Sequence, residues 1–169
     1  MEDHKLNTSE VFAPPPRLKK QAHVRSMKQY SVLYKQSIED PEAFWDNVAR
    51  DQIDFFVPYT QVTSGTLEHG DHAWFPNGKL NVAYNCLDRH LPGKAYQTAI
   101  LWEGDEPGTT RSILYLELYR DVCRLANALK RLGVRKGDAV CIYLPMVPFA
   151  AVAMLACSRI GAVHRFVCF

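Results

Sequence analysis

Few stretches of this sequence bring together side chains that could do chemistry. His69-Gly70-Asp71-His72 sets two imidazoles three residues apart around a carboxylate, the types that ligate a transition metal. Two such ligands on a glycine-containing loop have no evident third or fourth partner, so a surface turn is the simpler reading. Asp88-Arg89-His90 could carry acid–base chemistry, but it stands just ahead of the regular structure and reads as a hydrogen-bonded structural junction. His164 follows the start of an apolar strand and reads as a local structural histidine rather than a ligand contact. Trp74 and Trp102 read as core residues rather than stacking platforms.

The loops that grip phosphates are missing from the sequence. There is no G-x-x-x-x-G-K-[ST] and no G-x-G-x-x-G. A G-x-S-x-G nucleophile elbow is missing too. No catalytic, cofactor-binding or metal-ligating residue is therefore assigned. Cys86, Cys123, Cys141, Cys157 and Cys168 are an odd set without a C-x-x-C pair, which predicts free thiols in a reducing compartment.

The elements that would position these residues are clearer. Residues 1–25 read as a mobile arm in which Pro14-Pro15-Pro16 forbids helix and favours an extended turn. Its basic run Arg17, Lys19, Lys20 reads as solvated. From Ser26 to Ile38, Met27, Tyr30, Leu33, Tyr34 and Ile38 recur at helical spacing. Asp40-Pro41-Glu42 starts a second helix, with Asp40 as cap and Pro41 at the first helical position. Phe44, Trp45 and Val48 give it an apolar face, and the pair is expected to form a hairpin. Residues 52–96 are dense in turn signals and predict an irregular lead-in with short strands and a helical turn or more around 81–90.

Regular structure is expected from Thr98. Residues 99–102 and 112–115 read as strands separated by a turn at 104–108. Leu118, Val122, Leu125, Leu129 and Leu132 form one helical stripe, stopped by Gly133. A strand over 139–144 follows, then a helix over 148–160 that is apolar nearly all round and so deeply buried. Gly161 closes it and Ala162-Val163 opens another strand. The alternation predicts an α/β fold with a parallel sheet and right-handed crossovers.

Composition agrees with a globular chain: 169 residues, 47% hydrophobic and 22% charged. The net charge of +2 predicts no strong general attraction to nucleic acid or to an anionic membrane. The opening MEDHKLNTSE lacks a basic region followed by an apolar run, so neither a secretory signal nor a transit peptide is expected. The longest apolar run, 145–157, falls short of a bilayer span.

Several adjoining segments resemble the N-terminal part of AMP-forming acetyl-CoA synthetases, of the adenylate-forming superfamily: PPPRLKKQAHV (14–24), DPEAFW (40–45), WFPNGKLNVAYNCLDRH (74–90), AILWEGDEPG (99–108), RDVCRLANALKRLGVRKGDAV (120–140), IYLPMVP (142–148) and VAMLACSRIGAVH (152–164). NGKLNVAYNCLDRH is the most specific of these and points to the acetate and propionate branch. The Pro-rich arm looks most like the fungal cytosolic type. The resemblance implies an acetate–CoA ligase: acetate and ATP give acetyl-adenylate and pyrophosphate, and CoA thiolate then displaces AMP. It also implies ATP, Mg²⁺ and CoA for the full-length enzyme, and a cytoplasmic location that could extend to the nucleus. Residues 26–88 would be the N-terminal cap region and 89–169 the start of the AMP-binding domain, making the fold a helical hairpin and irregular cap followed by a truncated parallel βαβ sheet.

Departures from the family pattern set further expectations. The phosphate loop, adenylate-binding segment, ribose-binding Asp and catalytic Lys of the family lie outside this sequence, so no family site residue transfers onto positions 1–164. After Gly161-Ala162-Val163-His164 the family continues into a CoA-pocket segment, whereas this chain reads Arg165-Phe166-Val167-Cys168-Phe169. Leu114 replaces the hydroxyl cap of the long helix, and Phe149 stands where the family has Glu. A chain cut within a βα unit is expected to expose apolar surface and a strand edge, to be inactive alone and to fold only in part. The alternative is a non-catalytic module whose segment 11–50 pairs with intact synthetase subunits.

Overall fold

The computed structural model describes residues 12–167. These form two compact units that divide between Val48 and Ala49, and each is described by itself.

The first unit begins with a departure from expectation. The proline run does not forbid helix: Pro16 opens α1 (Pro16–Gln21), while Pro15 stays outside with φ −53° and ψ 135°. At the first helical position the missing N–H of proline would have had no partner anyway, and its fixed φ suits the helix. Helix α2 (Met27–Glu39) is capped by Ser26, whose hydroxyl accepts from the Gln29 N–H at 3.2 Å. The Gln29 side chain in turn accepts from the Arg25 N–H at 2.9 Å, so both groups at this end are answered locally. Asp40 alone links α2 to α3 (Pro41–Gln52), and its carboxylate accepts from the Ala43 N–H at 3.2 Å. The apolar face expected on α2 is present, yet no residue of that helix is buried.

The second unit opens on an irregular stretch held by aromatic rings. Phe55, Tyr59 and Phe75 lie with centroids 4.9–5.9 Å apart. The two-residue strands β1 (Thr63–Ser64) and β2 (Ala73–Trp74) pair antiparallel. The following turn holds Phe75 and Asn77 at positive φ of 50° and 65°. Gly78 completes it because a Cβ there would stand 2.9 Å from the Phe55 ring. Trp74, expected in the core, is 52% exposed. Helix α4 (Val82–Cys86) follows, capped by Asn81. A 3₁₀ turn at Asp88–His90 and the short α5 (Leu91–Lys94) lead to the sheet.

Strands β3 (Thr98–Glu103) and β4 (Thr110–Leu114) form an antiparallel hairpin. Then come α6 (Tyr115–Arg131), β5 (Ala139–Tyr143), α7 (Pro148–Ile160) and β6 (Val163–Val167). β5 and β6 pair parallel, from Ala139 opposite Val163 to Tyr143 opposite Val167. The architecture is α/β as expected, with one correction to the pairing. Among the described residues β4 pairs with β3 and not with β5; the short turn between β3 and β4 sets that pair antiparallel.

The core sits where α6 and α7 pack beneath these strands. Leu87, Ile113, Leu118, Val122, Ala126, Val152 and Ala156 form one buried cluster. The α6 stripe fades toward its end, since Leu132 is 81% exposed. Helix α7 buries Ala150, Val152, Ala153, Ala156 and Cys157 but leaves Phe149 half exposed, so it is not buried all round. The loss of a hydroxyl at Leu114 is half compensated: the Glu117 carboxylate still accepts from the Leu114 N–H at 2.9 Å.

Gly161 ends α7 at φ 75°, and a Cβ there would lie 2.9 Å from Lys136 Cγ. Gly161→Ala is expected to lower the unfolding free energy by about 1–2 kcal/mol through left-handed strain. Gly93→Ala, at a site with nothing within 4 Å, serves as the control in the same denaturant melts and should cost nothing.

Candidate functional site

The charged groups converge where the irregular lead-in meets α7. Arg159 lies near the end of a helix that is otherwise almost wholly apolar. Such a charge cannot be carried inward without a partner. Asp88 supplies it from the 3₁₀ turn: the two terminal guanidinium nitrogens each donate to one carboxylate oxygen, Nη1 to Oδ1 at 3.2 Å and Nη2 to Oδ2 more closely. Each side chain keeps about a fifth of its surface in water, 22% for Arg159 and 20% for Asp88.

Arg159 also lies over the Tyr119 ring at 5.2 Å, a cation–π contact from α6. Its Nε has no partner among the described residues. Burial pulls the guanidinium down, but the hydrogen bonds and charge of Asp88 outweigh it and hold Arg159 above its ordinary value. Tyr119 is pushed up chiefly by its hydrogen bond with Cys123, with burial and Asp88 adding to it.

Around this pair stand two asparagines and a second arginine. Asn81 caps two helices at once. Its Oδ1 accepts from the Tyr84 N–H at 3.2 Å, and its Nδ2 donates to the Ser158 and Arg159 carbonyls at 3.3 and 3.0 Å. Asn85 uses both ends as well, accepting from the Asp54 N–H at 2.8 Å and from Arg89 at 3.1 Å, and donating to the carbonyls of Asp54 and Asn81. Arg89 further donates to the Gln52 carbonyl at 2.6 Å and stands 3.6 Å from the Asp54 carboxylate. Two open clefts flank the ion pair. One, of about 480 Å³, is lined by Cys123, Asn127, Lys130, Arg135, Lys136 and Arg159. The other, of about 460 Å³, is lined by Asn81, Lys136, Arg159 and Gly161 among others. Both lie where α6 and α7 end, so their cations answer the partial negative charge of two helix C-termini.

The residues flagged in the sequence fall into place as follows. Asp88 and Arg89 join the same network, and His90 meets the Tyr115 ring edge-on at 6.0 Å. This is a positioning junction in which Asp88 and Arg89 are committed to structural partners. His69 Nδ1 lies 2.6 Å from the Thr66 hydroxyl, and His72 meets the Trp74 ring edge-on at 5.3 Å. Among the described residues no three His, Cys, Asp or Glu stand together as a metal site. His164 is half-buried on β6, opposite Val140. Trp102 donates its indole N–H to the Met146 carbonyl at 2.8 Å. Cys86, Cys123, Cys141 and Cys157 are free thiols, and Cys168 lies outside the described residues. Sequence reasoning missed Asn81, Asn85 and Arg159. Two of them were signalled: an Asn before a helix is a cap, and an Arg in an apolar helix demands a carboxylate.

Residues 30–86 match the family described as acetyl-coenzyme A synthetase N-terminus, and residues 87–167 match the family described as AMP-binding enzyme. The chain is 49% identical over 162 residues to an acetyl-coenzyme A synthetase of Alkalilimnicola ehrlichii, covering 96% of this chain and 25% of that protein. It is 50% identical over 157 residues to that of Dictyostelium discoideum (93% and 23%) and 50% identical over 162 residues to that of Phycomyces blakesleeanus (96% and 23%). Its fold matches acetoacetyl-CoA synthetase from Streptomyces lividans with a TM-score of 0.76 and 31% identity, over 90% of this chain and 23% of that one. The chain thus spans about a quarter of the length of these relatives.

Replacing Asp88 by Asn strands a partly buried guanidinium and should cost about 2 kcal/mol; wholly buried pairs cost more. Arg159→Met added to Asp88→Asn should cost less than the two single changes together, as read by a double-mutant cycle in urea. A separate effect appears at high pH, because burial pushes the Cys157 thiol above its ordinary value of 9.0. The folded state then holds this proton longer than the unfolded one. Stability from this group is complete below about pH 9 and falls as pH rises through the folded-state value. Urea midpoints measured from pH 8 to 11 should fall, and Cys157→Ala should flatten the first part of the decline.

Proposed function

The chain belongs to the acetyl-coenzyme A synthetase family of AMP-binding enzymes, and from that membership we propose that it forms the N-terminal section of an acetate–CoA ligase. The reaction of that enzyme joins acetate and CoA to give acetyl-CoA, with ATP converted to AMP and pyrophosphate. The observation that carries the reading is continuity. About half the residues are identical to acetyl-coenzyme A synthetases over nearly the whole chain. Asn81 of the first matched region also donates to the Ser158 and Arg159 carbonyls of α7 in the second.

The residues in hand do not fit the ATP and Mg²⁺ of that reaction. No phosphate-binding glycine loop occurs in the sequence. No carboxylate lines either cleft among the described residues, and Asp88 and Asp138 are committed to Arg159 and to the Arg135 N–H at 2.7 Å. In the proposed enzyme, residues 12–167 build a scaffold: the lead-in is locked to α7, and α7 holds the β5–β6 pair. Acetate, ATP and CoA are the proposed substrates of the complete enzyme. The cytoplasm, and by extension the nucleus, is the proposed compartment, in keeping with four free thiols.

A second reading, pairing of segment 11–50 with intact synthetase subunits, draws on the absence of any buried residue in α2. Co-purification with a full-length relative tests it.

The main reading is tested by transplanting residues 30–164 of this chain into the Dictyostelium discoideum synthetase in place of their counterparts. Acetate-dependent ATP–pyrophosphate exchange by the chimera should stay within about tenfold of the parent, a rise of no more than roughly 1.4 kcal/mol in the barrier. The 169-residue chain assayed alone should show no exchange above background. A chimera that folds as the parent does but shows no exchange would overturn the proposal.

A further inference from the structure

The small net charge of the whole chain hides a local concentration. Residues 12–34 contain Arg17, Lys19, Lys20, Arg25 and Lys28 and not one Asp or Glu. Since the whole chain carries +2, the rest of it is net negative. None of these five cations forms an ion pair among the described residues.

The same segment holds its large apolar side chains outward. Phe12 is 79% exposed, Leu18 61% and Met27 74%, and Tyr30 and Tyr34 are about half exposed. Between α1 and the start of α2 lies an open groove of about 620 Å³ lined by Phe12, Leu18, Met27 and Tyr30 together with Lys19 and Arg25. On α2, Met27, Tyr30, Tyr34 and Ile38 fall on one side by their spacing, with Lys28 beside them, while Lys35 is paired with Glu39 at 3.6 Å. The Tyr30 and Tyr34 rings stack at 5.9 Å, which keeps two amphipathic rings side by side on that face. An apolar face alone would suit many occupants. Cations without a single acid, bordering tyrosines and short aliphatic side chains, match a surface that is apolar beneath and negative at its edge.

We propose that the surface of residues 12–34 docks onto an anionic phospholipid bilayer as a peripheral, interfacial contact. The apolar side chains enter the headgroup boundary, and the five cations meet lipid phosphates and carboxylates. No described helix is long and apolar enough to cross the membrane, so the contact lies on the surface. The inference rests on the exposure of residues 12–34 in this chain, and its failure on vesicles would leave the ligase reading, which is tested by exchange activity, standing.

The test is co-sedimentation of the full 169-residue chain with large unilamellar vesicles of phosphatidylcholine, with and without roughly 30 mol% phosphatidylserine. Binding should be about tenfold or more stronger on the anionic vesicles and should drop about tenfold when salt is raised to roughly 0.5 M. Lys19→Glu, Lys20→Glu and Arg25→Glu together should abolish the preference, with the far-ultraviolet circular dichroism unchanged. Tyr30→Ser with Tyr34→Ser should weaken binding while keeping its salt dependence. Should a variant misfold, the lipid and salt dependence of the unaltered chain decides the matter. No binding, or equal binding to neutral and anionic vesicles, overturns the proposal. So does full retention of bound protein in high salt. Capture of the segment by an acidic protein with no affinity for either vesicle would also overturn it.

Discussion

Helix α7 is too apolar to face water and too charged at its end to be buried without help, and the second unit is arranged around both demands. Its alanines and Val152 need a partner that can come close, and α6 supplies one with Val122 and Ala126, both almost wholly excluded from solvent. Small residues on both helices bring the backbones near, so dispersion is gained along the whole contact. The β5–β6 pair then rests on this helix layer, and Leu87 and Ile113 close the cluster from the lead-in and the hairpin.

The second demand is met by Asp88. A guanidinium near the end of an apolar helix is tolerable only with a carboxylate at bonding distance, and the one it finds is 71 residues earlier in the chain. That pair fixes the position of the 3₁₀ turn against α7. Asn81 reinforces it by joining the start of α4 to the last carbonyls of α7. The lead-in has little regular structure, so these side-chain bonds do for it what a ladder does for a strand.

The first unit is governed by different forces. Its helices are satisfied locally, by Pro16, by Ser26 with Gln29 and by Asp40. None of these devices requires apolar burial. That is why α2 can be well formed at its ends while its side chains remain in solvent. Caps and propensity decide where such a helix begins and ends, whereas packing decides what it touches.

Much of the fold could be read directly from residue spacing. The stripe of α6, the apolar run of α7, the stops at Gly133 and Gly161 and the cap at Asp40 are local patterns with local physical causes, and the structure places each element within a few residues of expectation. The resemblance to acetyl-CoA synthetases was legible for the same reason, as contiguous segments that need no tertiary information. What spacing could not supply were relations between distant residues. It suggested that β4 would join a parallel sheet, that Trp74 would be core and that Pro16 would prevent a helix. Pairing depends on which neighbour a short turn makes reachable, burial on what the rest of the chain covers, and the proline on the single position where its missing N–H is harmless. The partnership of Asp88 with Arg159 belongs to the same class. The sequence shows a charge that must be answered, and only the folded chain determines which carboxylate comes within reach.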